Sequence, residues 1–182
     1  MLATDGGHQA LTGTLDISIE VTDANDNSPV FDKSTINTTV SENAPTGWIV
    51  TQLRATDNDI GVNAHVTYKL SDQSASEYGD IFKIDSQSGE LYLGKELDRE
   101  KQDFYRIHVV AADSAEVDKK SAHASISVHV LDVNDNSPHI RMYAKRDTPL
   151  EISSMSGPDT FVQHFVVNDN DLGNNARFWC WL

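Results

Sequence analysis

A single cysteine, Cys180, among 182 residues removes two ways of holding a small protein together, because a disulfide framework needs pairs and a thiolate zinc site needs several sulfurs. Alone, it reads as a small buried hydrophobe. Long apolar runs are missing too. No stretch nears the roughly 18 residues of a membrane span, and Met1-Leu2-Ala3-Thr4-Asp5 opens without the apolar core of a signal peptide. Neither anchoring nor export is encoded in these residues. Positive charge is scarce. With 14 Lys and Arg against 28 Asp and Glu, the formal net charge of −14 excludes a nucleic-acid or anionic-membrane surface and favours cations. Catalytic signatures are also lacking: there is no Gly-x-Ser-x-Gly, P-loop or Gly-x-Gly-x-x-Gly, and none of the 7 histidines pairs with another at metal-ligand spacing. Asp98 and Glu100 imitate the carboxylate pair of a glycosidase, but a sandwich end offers no aromatic-lined cleft beside them. The chain is therefore not expected to be an enzyme or to take a small-molecule substrate.

What is present is acidic and periodic. Asp23-Ala24-Asn25-Asp26-Asn27-Ser28-Pro29 returns as Asp132-Val133-Asn134-Asp135-Asn136-Ser137-Pro138, 109 positions later. Asp57-Asn58-Asp59-Ile60-Gly61-Val62-Asn63 returns as Asp169-Asn170-Asp171-Leu172-Gly173-Asn174-Asn175, 112 positions later. Two motifs sharing nearly one period indicate a domain repeat. They also indicate a bound ion, since clustered carboxylates in a folded protein are costly without a counter-charge.

Apolar–polar alternation marks strands near 34–40, 48–55, 65–70, 81–84, 90–93, 104–111 and 122–131, with Asp85-Ser86-Gln87-Ser88-Gly89 as a hairpin turn. Leu15, Ile17, Ile19 and Val21 alternate in the same way before the first Asp-Asn cluster, as Ala124, Ile126, Val128 and Val130 do before the second. No segment shows a sustained helical period. The expected fold is all-β: tandem seven-stranded Greek-key β-sandwiches, one complete and two partial. The parts are residues 1–28, the end of one unit with its linker; 29–137, a complete unit with its linker; and 138–182, the beginning of a third. Both partial units are expected to be poorly stable alone, with Phe178-Trp179-Cys180-Trp181-Leu182 as core strand without a partner.

Calcium takes six to eight oxygens at about 2.3–2.6 Å from carboxylates, amides and carbonyls, and Asp-x-Asn-Asp-Asn supplies all three kinds. Further carboxylates stand at strand ends: Glu42, Asp57, Asp59, Asp98, Glu100 and Asp113. An EF-hand is excluded, because its Gly at position 6 and Glu at position 12 would fall on Val62 and Tyr68, or on Asn174 and Cys180. Asn37-Thr38-Thr39 is an N-glycosylation triplet, and Trp48 reads as a half-buried packing residue.

Together the x-Glu-x, Leu-Asp-Arg-Glu, Asp-x-Asn-Asp-Asn, Asp-x-Asp and Ala-x-Asp motifs, in this order, resemble tandem extracellular cadherin repeats. The Asp-x-Asp-x-Gly-x-Asn form, with a Cys two residues after Phe178, is similar to protocadherin repeats. The resemblance implies immunoglobulin-like sandwiches and three Ca²⁺ ions at each complete junction between repeats. At the downstream junction it implies a first ion on Glu42, Asp98, Glu100 and Asp135. A second would take Glu42, Glu100, Asp135, Asp132, the carbonyl of Val133, and Asp171. The third would take Asn134, the carbonyl of Asn136, Asp169, Asp171 and the carbonyl of Asn175. Upstream it implies one complete third site on Asn25, Asn27, Asp57, Asp59, Asn63 and Asp113, with Asp23 and Asp26 as ligands of the other two. Glu151 is the candidate x-Glu-x glutamate of the last unit. The implied function is calcium-dependent cell–cell adhesion by a rod segment of a single-pass plasma-membrane protein, on its extracellular face. Partners would be other cadherin ectodomains in cis or trans, expected to be homophilic. The alternatives are a non-adhesive spacer or tether and a soluble calcium-binding fragment.

Overall fold

The computed structural model describes residues 1–142 and 152–181. Glu151 lies outside the described residues. A two-stranded hairpin, β1 (Leu2–Thr4) with β2 (Thr12–Thr14), opens the chain. The central unit follows: β3 (Val30–Phe31), β4 (Thr35–Ser41), β5 (Ile49–Gln52), β6 (Ala55–Thr56), β7 (Thr67–Leu70), α1 (Asp72–Tyr78), β8 (Phe82–Ile84), β9 (Glu90–Leu93), β10 (Phe104–Ala112) and β11 (Ser121–Leu131). A last antiparallel pair is β12 (His139–Met142) with β13 (Phe165–Asn168).

One face of the central sandwich is the four-stranded sheet β4-β11-β10-β7; the other is β5-β9-β8, with β3 and β6 paired beside it. Period-two alternation sends Tyr105, Ile107 and Val109 of β10 and Ala124, Ile126, Val128 and Val130 of β11 into one core with Val50, Phe82, Leu91 and Leu93 of the opposing sheet. The expected strand over 48–55 is broken in two at Leu53-Arg54, where the Leu53 N–H leaves the ladder and donates to Gly89 O. The expected turn is present, with Asp85 Oδ1 accepting from the N–H groups of Gln87 and Ser88 at 2.9 and 2.7 Å.

One short helix lies among the strands: α1 is two turns long, too short to show a 3.6-residue period, and tertiary hydrogen bonds hold it. Ser71 caps it by accepting from Ser74 N–H, the Ser71 N–H donates to His108 O, and the buried Ser74 hydroxyl accepts from His108 N–H. Tyr78 then packs edge-on against Tyr105, with ring centroids 5.4 Å apart. Conversely, Leu15 to Val21 is not a strand, and Leu15, Ile17, Ile19 and Val21 are exposed. Pairing stops where the Leu15 N–H donates to Met1 O, and beyond it no described segment supplies a ladder. Cys180 is likewise exposed rather than buried, because 176–181 runs without a paired strand to cover it. Trp48 is half exposed, and Asn37 lies exposed on β4.

Topology sorts the acidic residues to two poles. Strands β4 and β11 are parallel, so Glu42 and Asp132, each one residue past its strand, emerge together. Strand β10 is antiparallel to β11, so Asp113, one residue past β10, emerges at the opposite pole.

Candidate metal centre

The downstream pole is built around Glu42, which is buried. Its two carboxylate oxygens accept from Arg99 N–H (2.8 Å) and Val133 N–H (2.6 Å), tying the Leu97–Glu100 loop and the linker to the end of β4. Buried Leu97 anchors that loop in the core. Across the linker, Asp132 Oδ2 accepts from Leu172 N–H (3.0 Å) and Asn175 Nδ2 (2.9 Å), while Asp171 accepts from the Asn136 amide side chain at 2.8 Å. Arg99 adds the cationic element: its guanidinium pairs with Glu100 and Asp132 and donates to Asn170 O at 2.7 Å.

The upstream pole repeats this plan. Asp23 Oδ2 accepts from Ile60 N–H and Asn63 Nδ2, both at 3.0 Å, and Asp59 accepts from the Asn27 backbone and side chain. Asp57 and Asp169 accept from the N–H two residues on, of Asp59 and Asp171, at 3.0 and 3.1 Å. Gly61 and Gly173 hold φ of 64° and 58° in the two loops, the left-handed region that lets each chain reverse and aim Asn63 or Asn175 back at the linker. Asn25 Nδ2 donates to Asp113 Oδ2 at 2.9 Å, whereas its counterpart Asn134 stands exposed.

Hydrogen bonding keeps the acids ionised. The Asn27 amide lowers the pKa of Asp59. Burial pushes Asp113 up, but donation from Lys120 N–H, Asn25 and Ala115 N–H outweighs it and the net shift is downward. Burial likewise pushes Asp132 up, but donation from Leu172 N–H and Asn175 and the charge of Arg99 outweigh it, and the net shift is downward.

Among the described residues, Glu42, Glu100 and Asp132 bring one oxygen each within 4.8 Å of one another, and so do Glu100, Asp135 and Asp171. Oxygens sharing one calcium ion lie no more than about 5 Å apart, so both groups are compatible with such an ion. Orphaned atoms point the same way: Asn25 Oδ1, Asp57 Oδ2 and Asp169 Oδ2 are buried acceptors without a donor, which a cation would satisfy. Asp98 does not join the group. Its oxygens take the Lys101 N–H (3.0 Å) and Lys101 Nζ (2.6 Å) instead. Arg99 is the participant that ligand chemistry overlooks; its place between two acids in the chain was the available signal.

With the geometry in view, the sequence model of the Cadherin domain family matches residues 36–131. The chain belongs to the cadherin superfamily. Its repeats are protocadherin-like: it is 38% identical to human protocadherin alpha-5 over its whole length, spanning 19% of that protein. It resembles the solved protocadherin gamma B7 extracellular cadherin domains 1–4 at a TM-score of 0.76 and 35% identity, over 97% of this chain and 41% of that one. The protocadherin gammaB7 EC3-6 cis-dimer structure matches at a TM-score of 0.74 and 30% identity, over 95% and 42% of the respective chains. Calcium binding is a general property of cadherin domains, and the acidic clusters it requires are present in this cadherin. Among the described residues, no helix is long and apolar enough to cross a membrane.

Proposed function

We propose that this chain is a calcium-braced rod segment of a cell-adhesion ectodomain, with residues 29–137 as one complete repeat between parts of two others. One observation carries the proposal: five carboxylates from four separate segments converge at the downstream pole, Glu42 and Glu100 from the sandwich, Asp132 and Asp135 from the linker, and Asp171 from the next unit. Two divalent ions there would use these five, with the Val133 carbonyl as a further donor. A third would use Asn134, Asp169, Asp171 and the carbonyls of Asn136 and Asn175. Asp98 would join the first ion by releasing Lys101. The upstream third site would be Asn25, Asn27, Asp57, Asp59, Asn63 and Asp113, beside Asp23 and Asp26.

Calcium supplies positive charge and many oxygen bonds at once, and the protein's own residues do the rest. The Ser-Pro steps after each cluster keep the linkers from continuing as helix, and the Asn27 and Asn136 amides orient the Asp59 and Asp171 carboxylates. Three ions would add six positive charges to a junction whose acids otherwise repel, fixing the units end to end. A stiff rod then holds distant surfaces toward a partner ectodomain, of the same kind or a related one, outside the plasma membrane. Beads coated with a longer segment in which both flanking repeats are complete should clump in calcium and disperse in chelator. Beads that stay dispersed in both would favour a spacer.

A further inference from the structure

Arg99 is the cation already present in this carboxylate site. Its side chain is 8% exposed and its guanidinium reaches all three parts of the downstream junction: Glu100 of the sandwich, Asp132 of the linker, and the Asn170 carbonyl of the next unit at 2.7 Å. Both acids it pairs with belong to the group whose oxygens lie within 4.8 Å of one another with Glu42. Asp132 Oδ2 already takes Leu172 N–H and Asn175 Nδ2, and the Oδ1 left for a metal accepts no hydrogen bond but lies against the Arg99 Nε charge. A divalent ion on the Glu42, Glu100 and Asp132 oxygens would therefore sit against a fixed positive charge.

We infer that Arg99 is a resident counter-ion of the downstream junction, which orders the two units before metal arrives and which the metal must displace. This rests on the calcium reading above. Two effects of opposite sign follow from one side chain. The planar fork binding three partners holds the metal-free junction together, and the same charge weakens the incoming ion. The junction would then change hands between two cations, with affinity set by their difference.

The test reads this junction alone. Spin labels on Lys95→Cys and Arg141→Cys in a Cys180→Ser background, both exposed positions, report the distance distribution across the junction during calcium titration. Arg99→Met keeps the stem and removes the charge. It should broaden the calcium-free distribution and move the calcium midpoint down about tenfold, the scale of one like-charge contact in a high dielectric. Arg99→Lys keeps a point charge without the fork, so it should leave the midpoint near that of the unmutated chain while still broadening the calcium-free state. A midpoint in Arg99→Met that is unchanged or higher, or a calcium-free distribution as narrow as the parent's, overturns the inference while leaving calcium binding intact. A parent chain that never responds to calcium would sink the calcium reading, and this inference with it.

Discussion

The two junctions of this chain use one hydrogen-bond plan with different counter-charges. Asp23 and Asp132 each accept from a backbone N–H and an Asn side chain, and Asp59 and Asp171 each accept from the Asn that closes its cluster. What differs is the neighbour. Downstream, Glu42, Glu100 and Arg99 complete a dense site in which charge is partly balanced by the protein. Upstream, among the described residues, fully buried Asp113 stands with Asn25 and no guanidinium reaches Asp23. Local sequence therefore sets the shape of each linker, while the sandwich pole it meets decides how much charge surrounds it.

Both poles depend most heavily on the core they share. Ile107→Ala leaves a cavity between the sheets and should cost about 2–5 kcal/mol in denaturant unfolding, loosening both junctions together. A loss confined to one junction would show that the poles are not coupled through the sandwich. Next in size, Asp171→Asn should weaken cation binding downstream by at least about tenfold with upstream binding intact. Asp113→Asn should do the reverse. Site-resolved NMR titration separates the two, and any crossover would contradict the assignment of ligands to poles.

Gly61→Ala and Gly173→Ala sharpen the symmetry, since each forces a left-handed φ on an L residue at about 1–2 kcal/mol, with nothing within 4 Å of either added Cβ. Equal losses are expected if the loops are equivalent. The smallest effect is on pH. Asp113 and Asp132 have folded pKa values below their ordinary value of about 3.9, so their stabilisation is complete above that pH and is lost as pH falls through the lowered folded values. Thermal scans in chelator should show an acid limb that Asp113→Asn flattens.

Strands β4 to β11 are legible in the sequence because half-buried strands must alternate, and Asp57, Asp113, Asp132 and Asp169 all stand one residue past a strand. Alternation misleads at Leu15 to Val21, where a pattern for pairing exists without a described partner. Helix α1 is hidden for the opposite reason, its stability residing in contacts of Ser71 and Ser74 with His108 rather than in its own period. Motif spacing singles out Glu42, Glu100, Asp132, Asp135 and Asp171, which the fold brings together. It does not reveal that Lys101 engages Asp98 or that Arg99 spans the junction, since both depend on side-chain reach.

Calcium titration by calorimetry with small-angle scattering, on this chain and on its Glu100→Ala, Asp135→Ala variant, shows whether metal braces the junction. The unmutated chain should bind with a dissociation constant of about 10⁻⁴ to 10⁻³ M and become longer and stiffer as it does so, and the variant should lose the downstream share of both effects. Equal binding in the two proteins, or binding without stiffening, would contradict a junction braced by metal.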